Sequence, residues 1–334
     1  MSQGLLLGHS SGSGPAVVAL GGGHGLSASL SALRLMTDRL TAVVTVADDG
    51  GSSGRLRDEM DVLPPGDLRM ALSALCDDSD WGRTWRDVLQ HRFHTEGSLD
   101  KHAVGNLLIV ALWELLGDPV SGLDWVGRLL GARGRVLPMA SVPLAIEADI
   151  VGPTTPDGPP ALHTVRGQSA VAVAPGVITE LRLLPQDAPA CPEAVRAVDG
   201  ADWVVLGPGS WFTSVLPHLL VPELAAALHR TSARRCVTLN IRPPGASQMT
   251  CSQHLEALRH HAPDLRIDVV IADPTTIDDL GAVHEQVDAM GAQLLLRQVQ
   301  VGDGTARHDA LRLAAAYRDA FAGFLGDVGT TAAR

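Results

Sequence analysis

The chain has 334 residues, 46% of them hydrophobic, enough to bury a large core in one large or two modest domains. Its 26 basic residues against 37 acidic ones give a formal net charge of -11 with no Lys/Arg-rich run, so the electrostatic footprint of a nucleic-acid binder is missing. The 4 cysteines stand apart without a CxxC spacing, which argues against a zinc ribbon or a disulfide framework and fits a cytoplasmic protein.

Residues 1–14, MSQGLLLGHSSGSG, place only three leucines together without a basic segment ahead of them, and are expected to be a disordered lead-in rather than a signal peptide. A single α/β domain is expected over 15–334. It opens with PAVVAL (15–20), a helical LSASLSALRLMTD (26–38) and LTAVVTV (40–46). Short all-apolar strands joined through a helix predict a βαβ unit with parallel strands covered on both faces. Residues 66–132 predict a helical block from the apolar spacing of LRMALSAL, WRDVLQHRF and NLLIVALWELL. The last of these (106–116) carries Glu114 and is far shorter than the roughly 20 residues a bilayer span needs, so no membrane span is expected.

Residues 135–185 are short, Pro/Gly-punctuated and partly alternating, and predict an antiparallel β excursion. The βα rhythm returns with DWVVLGPGS (202–210), a helix over SVLPHLLVPELAAALHR, strand RCVTLNI (235–241), helix SQHLEALRHH, strand RIDVVIA (266–272) and a closing helix HDALRLAAAYRDAF. The fold class is therefore Rossmann-like α/β: a mostly parallel sheet with helices on both faces, a helical block and a small antiparallel excursion.

In such sheets ligands sit beyond the carboxyl ends of the strands, which directs attention to four loops. Gly21, Gly22, Gly23, His24 and Gly25 lead into a helix expected near Leu26, a natural phosphate seat, and Gly23, Gly25 and Ala28 meet the G-x-G-x-x-A spacing with Asp48 about 20 residues on. After the next strand come Asp48 and Asp49, then Gly50, Gly51, Ser52 and Ser53. Two neighbouring carboxylates in a polar, mobile loop suit orienting a hydroxyl, coordinating Mg²⁺ or acting as a base, and the alternative is a solvated turn with an aspartate cap. In LPPGDLRMALSAL, Asp67 stands in the first turn of a helix, suited to capping it, and Arg69 is placed to reach an anion; His102, Gly105 and Asn106 open the next very apolar helix. Gly207, Gly209 and Ser210, ahead of a helix expected to start about Thr213, make a second anion-binding loop, and Asn240 and Arg242 stand at a further strand end.

Taken in order, GGGHGLS, TVADDGGSSGRLR, PPGDLRMALSAL, HAVGNLL and VLGPGSWFTSVLPHLLVPEL resemble the YvcK-type proteins, also called gluconeogenesis factors, of the CofD-like superfamily. The likeness runs from Ala16 to the closing helix. It implies a bacterial cytoplasmic protein that binds UDP-sugars such as UDP-glucose and UDP-N-acetylglucosamine, acts in cell shape, peptidoglycan synthesis and gluconeogenic growth, and has no established reaction. By position, the Gly21–Gly25 and Gly207–Ser210 loops would face the nucleotide diphosphate, Asn240 would lie near the ligand, and the Asp48–Ser53 loop corresponds to the region where CofD, 2-phospho-L-lactate transferase, holds its deazaflavin acceptor and metal. No cofactor is required beyond the UDP-sugar, although the acids admit Mg²⁺. The partners implied are cell-wall synthesis proteins and a Ser/Thr kinase, with homo-oligomerisation left open.

The chain departs from the family pattern at His24, usually threonine, at Met70, usually asparagine, and in RPPGAS where QPGET is common. The leading expectation is a binding and regulatory protein with no assigned catalytic residue. The alternatives are a Mg²⁺-dependent CofD-type phospholactate transferase, for which Asp48 and Asp49 are the catalytic candidates, and an NAD-dependent dehydrogenase resting on the G-x-G-x-x-A spacing alone.

Overall fold

The computed structural model describes residues 14–152, 161–242 and 249–324. Its first half runs β1 (Val17–Gly21), α1 (Gly23–Leu33), β2 (Leu40–Val44), α2 (Gly51–Met60), α3 (Pro65–Leu75), α4 (Asp80–Gln90), α5 (Val104–Leu116), α6 (Pro119–Leu130) and β3 (Arg135–Pro138). An insertion follows with β4 (Ala145–Val151), β5 (Leu162–Arg166), α7 (Gln168–Val173) and β6 (Val177–Leu184). The chain then continues through α8 (Pro192–Asp199), β7 (Trp203–Leu206), α9 (Pro222–Arg230), β8 (Arg234–Thr238), α10 (Cys251–His261), β9 (Val269–Ala272), α11 (Leu280–Ala289), β10 (Gln293–Leu296) and α12 (Ala310–Ala322).

Seven strands form one sheet in the order β10-β9-β8-β7-β1-β2-β3, with every neighbouring pair parallel. All residues of β1, β7 and β9 are buried, which is why these segments read as unbroken apolar runs. From β1 the chain fills one side of the sheet through β2 and β3, then returns to the other side of β1 with β7 and moves outward to β10. The reversal between β1 and β7 is the topological switch point, the place at which open α/β sheets take ligands beyond the carboxyl ends of their strands.

The helices of the first half pack as a block, α1 on α3, α3 on α5 and α5 on α6, while α12 closes over α1. Tyr317 of α12 is fully buried, and its hydroxyl meets Ser29 Oγ at 2.8 Å and Thr238 Oγ1 at 2.9 Å, so the one tyrosine ties α1 to β8. His218, also buried, lies 3.0 Å from the Val43 carbonyl through Nε2 and pins the turn after β7 to β2. Among the described residues no single helix is long and apolar enough to cross a membrane.

Several boundaries differ from the sequence expectation. The antiparallel excursion begins at β4; β3, within the 135–185 segment, pairs parallel with β2 (Thr41 with Arg135) as an edge of the main sheet. Its four residues are too few for a parallel strand to show a pattern. The DDGGSSGR segment turns directly into α2, with Ser52, Ser53 and Gly54 buried, instead of forming a mobile loop. The single helix expected over residues 214–230 is broken into one turn of π-helix (Trp211–Val215), a 3-10 turn (Leu216–Leu219) and α9, because Pro217 and Pro222 lack the N–H that an uninterrupted helix requires.

Candidate functional site at the strand ends

The first glycine loop is shorter than its sequence suggests, since α1 starts at Gly23 and places exposed His24 and half-buried Gly25 in its first turn. Gly22 takes the N-cap position with an extended backbone and supplies no side-chain cap, so the leading N–H groups of α1 are left to whatever occupies the crevice. Among the described residues only the Asp67 carboxylate engages one of them, the Gly23 N–H.

The second loop lies directly against the first. A β-carbon on Gly25 would stand 2.2 Å from the Pro208 carbonyl oxygen and 2.5 Å from Gly209 Cα, so only glycine permits this contact between residues 183 positions apart in the chain. Gly207 leaves β7 with φ at 73° and its carbonyl accepts from Ser29 Oγ at 2.9 Å. Asn240, just beyond β8, fixes Gly209: its Oδ1 accepts from Gly209 N–H and its Nδ2 donates to Gly209 O, both at 2.8 Å. Ser210 is exposed at the rim, whereas Thr213 and Ser214 are buried in the π-turn.

The two adjacent acids part company. Asp48 Oδ1 accepts from the Gly50 N–H at 3.0 Å, and its Oδ2 faces the start of α3, 3.0 Å from where a β-carbon on Gly66 would stand. Asp49 is exposed and reaches the insertion instead, its Oδ1 accepting from the Ser169 N–H at 2.9 Å. The partner of Asp48 is therefore Asp67, which also takes a 3.2 Å hydrogen bond from Thr45 Oγ1 and sits against Gly22. Burial, and then the charge of Asp48, push Asp67 up to about 6 from the usual 3.8, against the opposing pull of Thr45, the Gly23 N–H and Arg69. Asp67 thus turns toward Gly22, Gly23 and Thr45 instead of capping α3, which has no side-chain cap.

Beneath these acids runs a buried polar chain. Arg69 donates through Nε to Asn106 Oδ1 at 2.9 Å and through Nη1 to Gln90; Asn106 Nδ2 donates to Ser52 Oγ at 3.0 Å; and Ser52 Oγ meets His102 Nδ1 at 3.1 Å. Asn106 is fully buried with both polar ends occupied, so it braces α2, α3 and α5 rather than reaching a ligand. Arg69 is 3% exposed, and burial together with the Arg92 charge pulls it down to about 10, which leaves it cationic at neutral pH beneath Asp67 and Asp48. Gly105 is where the Arg69 stem passes, 2.8 Å from the position of a β-carbon.

Gly51 is exposed at the start of α2, and Ser53 is buried against Gly66. Arg242 does not stand free: it is ion-paired with Asp278 beyond β9. The rest of the RPPGAS loop, 243–247, lies outside the described residues. Sequence reasoning missed Thr45, Ser214 and the insertion residues Gly167 and Ser169. Thr45 had a signal, as the polar residue in the otherwise apolar VVTVA run, but the insertion had none.

A parallel sheet whose two glycine loops meet at the switch point defines a Rossmann-like α/β fold. The family profile described as 2-phospho-L-lactate transferase CofD matches residues 17–298. A Mycobacterium tuberculosis chain carried under the gluconeogenesis-factor name is 52% identical over 305 residues, covering 90% of this chain and 88% of its own length. The gluconeogenesis factor of Bacillus subtilis is 33% identical over 316 residues, covering 90% and 96%. A crystal structure of a UPF0052-family protein from Bacillus halodurans, 32% identical, superposes with a TM-score of 0.78 over 92% of this chain and 99% of that one. The chain belongs to the gluconeogenesis factors, within the CofD family.

Proposed function

We propose that the crevice between β1 and β7 holds a nucleotide diphosphate sugar, UDP-N-acetylglucosamine or UDP-glucose, as a regulatory ligand. The observation that carries this reading is the backbone contact between the Gly21–Gly25 and Gly207–Ser210 loops. It sets the uncapped start of α1 beside a second glycine loop, so one diphosphate can be met by N–H groups from both. Thr45 and Ser214 add hydroxyls next to Gly22. The uridine and the sugar come from the family resemblance, as do the roles in cell shape, peptidoglycan synthesis and gluconeogenic growth.

Asp48 and Asp67 suit Mg²⁺, which binds through one or two carboxylates and fills its remaining positions with phosphate oxygens and water. When bound, the ion would offset diphosphate charge that the two acids otherwise repel. Titration calorimetry tests the reading: saturable heat is expected with UDP-N-acetylglucosamine or UDP-glucose and not with NAD. Gly22→Val, whose side chain would collide with Asp67 and Thr45, should abolish that heat. Absence of heat with every nucleotide sugar would overturn it.

A second reading, a CofD-type transferase, is favoured by one feature, the displacement of Asp67 to about 6, which leaves a carboxylate able to exchange a proton near neutral pH. It requires Mg²⁺-dependent product from a nucleotide-activated phospholactate and a deazaflavin acceptor, detectable by mass spectrometry.

A further inference from the structure

The second acid of the DDGGSSGR segment is turned toward the insertion. Asp49 Oδ1 accepts from Ser169 N–H at 2.9 Å, and a β-carbon on Gly167 would stand 2.4 Å from Asp49 Oδ2. Gly167 also holds φ at 103°, a conformation that side chains disfavour, so the residue is suited twice over to letting this carboxylate approach. One residue away, Gly50 faces Ser169 Oγ, 2.9 Å from where its β-carbon would be.

From this contact α7 extends to the π-turn Trp211–Val215 and packs against it. The helix thereby touches the segments that follow both β2 and β7. Within its own insertion the helix rests on β4 and β5, with Gly167 N–H donating to the Ile146 carbonyl at 2.8 Å. Of its six residues only Val171 is buried, and Val173 is 82% exposed. A six-residue helix with one buried side chain has no stability of its own, so its placement against the main sheet depends on the Asp49 bond and the π-turn contact.

We propose that Asp49 is a positioning residue that holds α7 across the mouth of the crevice, so that this helix governs entry and exit of the ligand without contacting it. This rests on the nucleotide-sugar reading for the identity of the ligand, whereas the positioning of α7 does not. Breaking the bond should leave the binding surface intact while opening its entrance.

Two measurements on the full chain test it. In the ligand-free protein, Asp49→Ala should speed amide hydrogen exchange over residues 169–171 by about tenfold, the scale of one lost hydrogen bond, while Asp49→Asn, which keeps an oxygen acceptor, should stay near wild type. In rapid mixing with UDP-N-acetylglucosamine, Asp49→Ala should raise the association and dissociation rates together, leaving Kd within about threefold. Unchanged exchange in Asp49→Ala, or failure of Asp49→Asn to restore it, overturns the positioning role. A tenfold or greater rise in Kd with an unaltered association rate would instead make Asp49 a ligand contact, again overturning the proposal. If wild type binds no nucleotide sugar, that ligand assignment fails on its own, and the exchange data still decide whether Asp49 positions α7.

Discussion

Asn240 holds both backbone polar groups of Gly209, accepting from its N–H and donating to its carbonyl, each at 2.8 Å. A residue that the sequence sets at a strand end near the ligand is thus a splint between β8 and the second glycine loop. Asn240→Ala removes two hydrogen bonds and leaves both groups of Gly209 without a protein partner, an expected loss of about 1–3 kcal/mol in urea unfolding. Asn240→Asp keeps the acceptor but sets a carboxylate against the Gly209 carbonyl, and should be at least as damaging. Both variants should weaken nucleotide-sugar binding in calorimetry.

The glycines divide into two groups with different expected costs. Gly25→Ala drives a methyl into the Pro208 backbone, where overpacking costs about 1–3 kcal/mol or more, and it should separate the two loops and abolish binding. Gly51→Ala meets nothing within 4 Å and carries only the strain of φ at 50°, about 1 kcal/mol. Thermal midpoints and nucleotide-sugar titrations of the pair should rank Gly25→Ala well below Gly51→Ala in both.

Asp67 gives stability an acid-side bias. Its folded-state value of about 6 exceeds the usual 3.8, so its contribution is fully present below pH 3.8 and is lost as the pH rises through 6. Asp67→Asn should therefore stabilise the ligand-free protein by up to about 2–3 kcal/mol at pH 7–8, and the difference should vanish near pH 4. Urea unfolding of both proteins across pH 4–8 measures this directly. Above pH 6 the same variant should lose any Mg²⁺-dependent gain in ligand affinity.

Three histidines act in the opposite direction. Burial lowers His218, His254 and His308 to about 4 from 6.5. Each stabilises the fold fully above pH 6.5 and loses that contribution as the pH falls toward 4, by up to about 3 kcal/mol apiece. His218, fully buried between the carbonyls of Val43 and Val215, should show the clearest effect. NMR titration should find its ring neutral at pH 5, and acid unfolding should steepen below pH 6.

The buried runs VVALG, WVVL and VVIA announce parallel strands because a strand covered on both faces must be apolar at every residue. The glycine loops are equally legible, since close approach of backbone to ligand or to backbone leaves little choice of residue. β3 and α7 were not, because four or six residues carry too little periodicity to separate strand, helix and loop.

Sequence by itself determined the parallel α/β sheet, the two glycine loops at strand ends and the family to which they belong. The tertiary structure decided which residues share a space: Gly25 under Pro208, Asp48 with Asp67 rather than with Asp49, Asn106 on Arg69, and Asp49 on α7. Local spacing reflects the backbone geometry of one segment. Partners across 19 to 183 residues of chain are chosen by how helices and strands pack, and by the requirement that each polar group buried in that packing finds another.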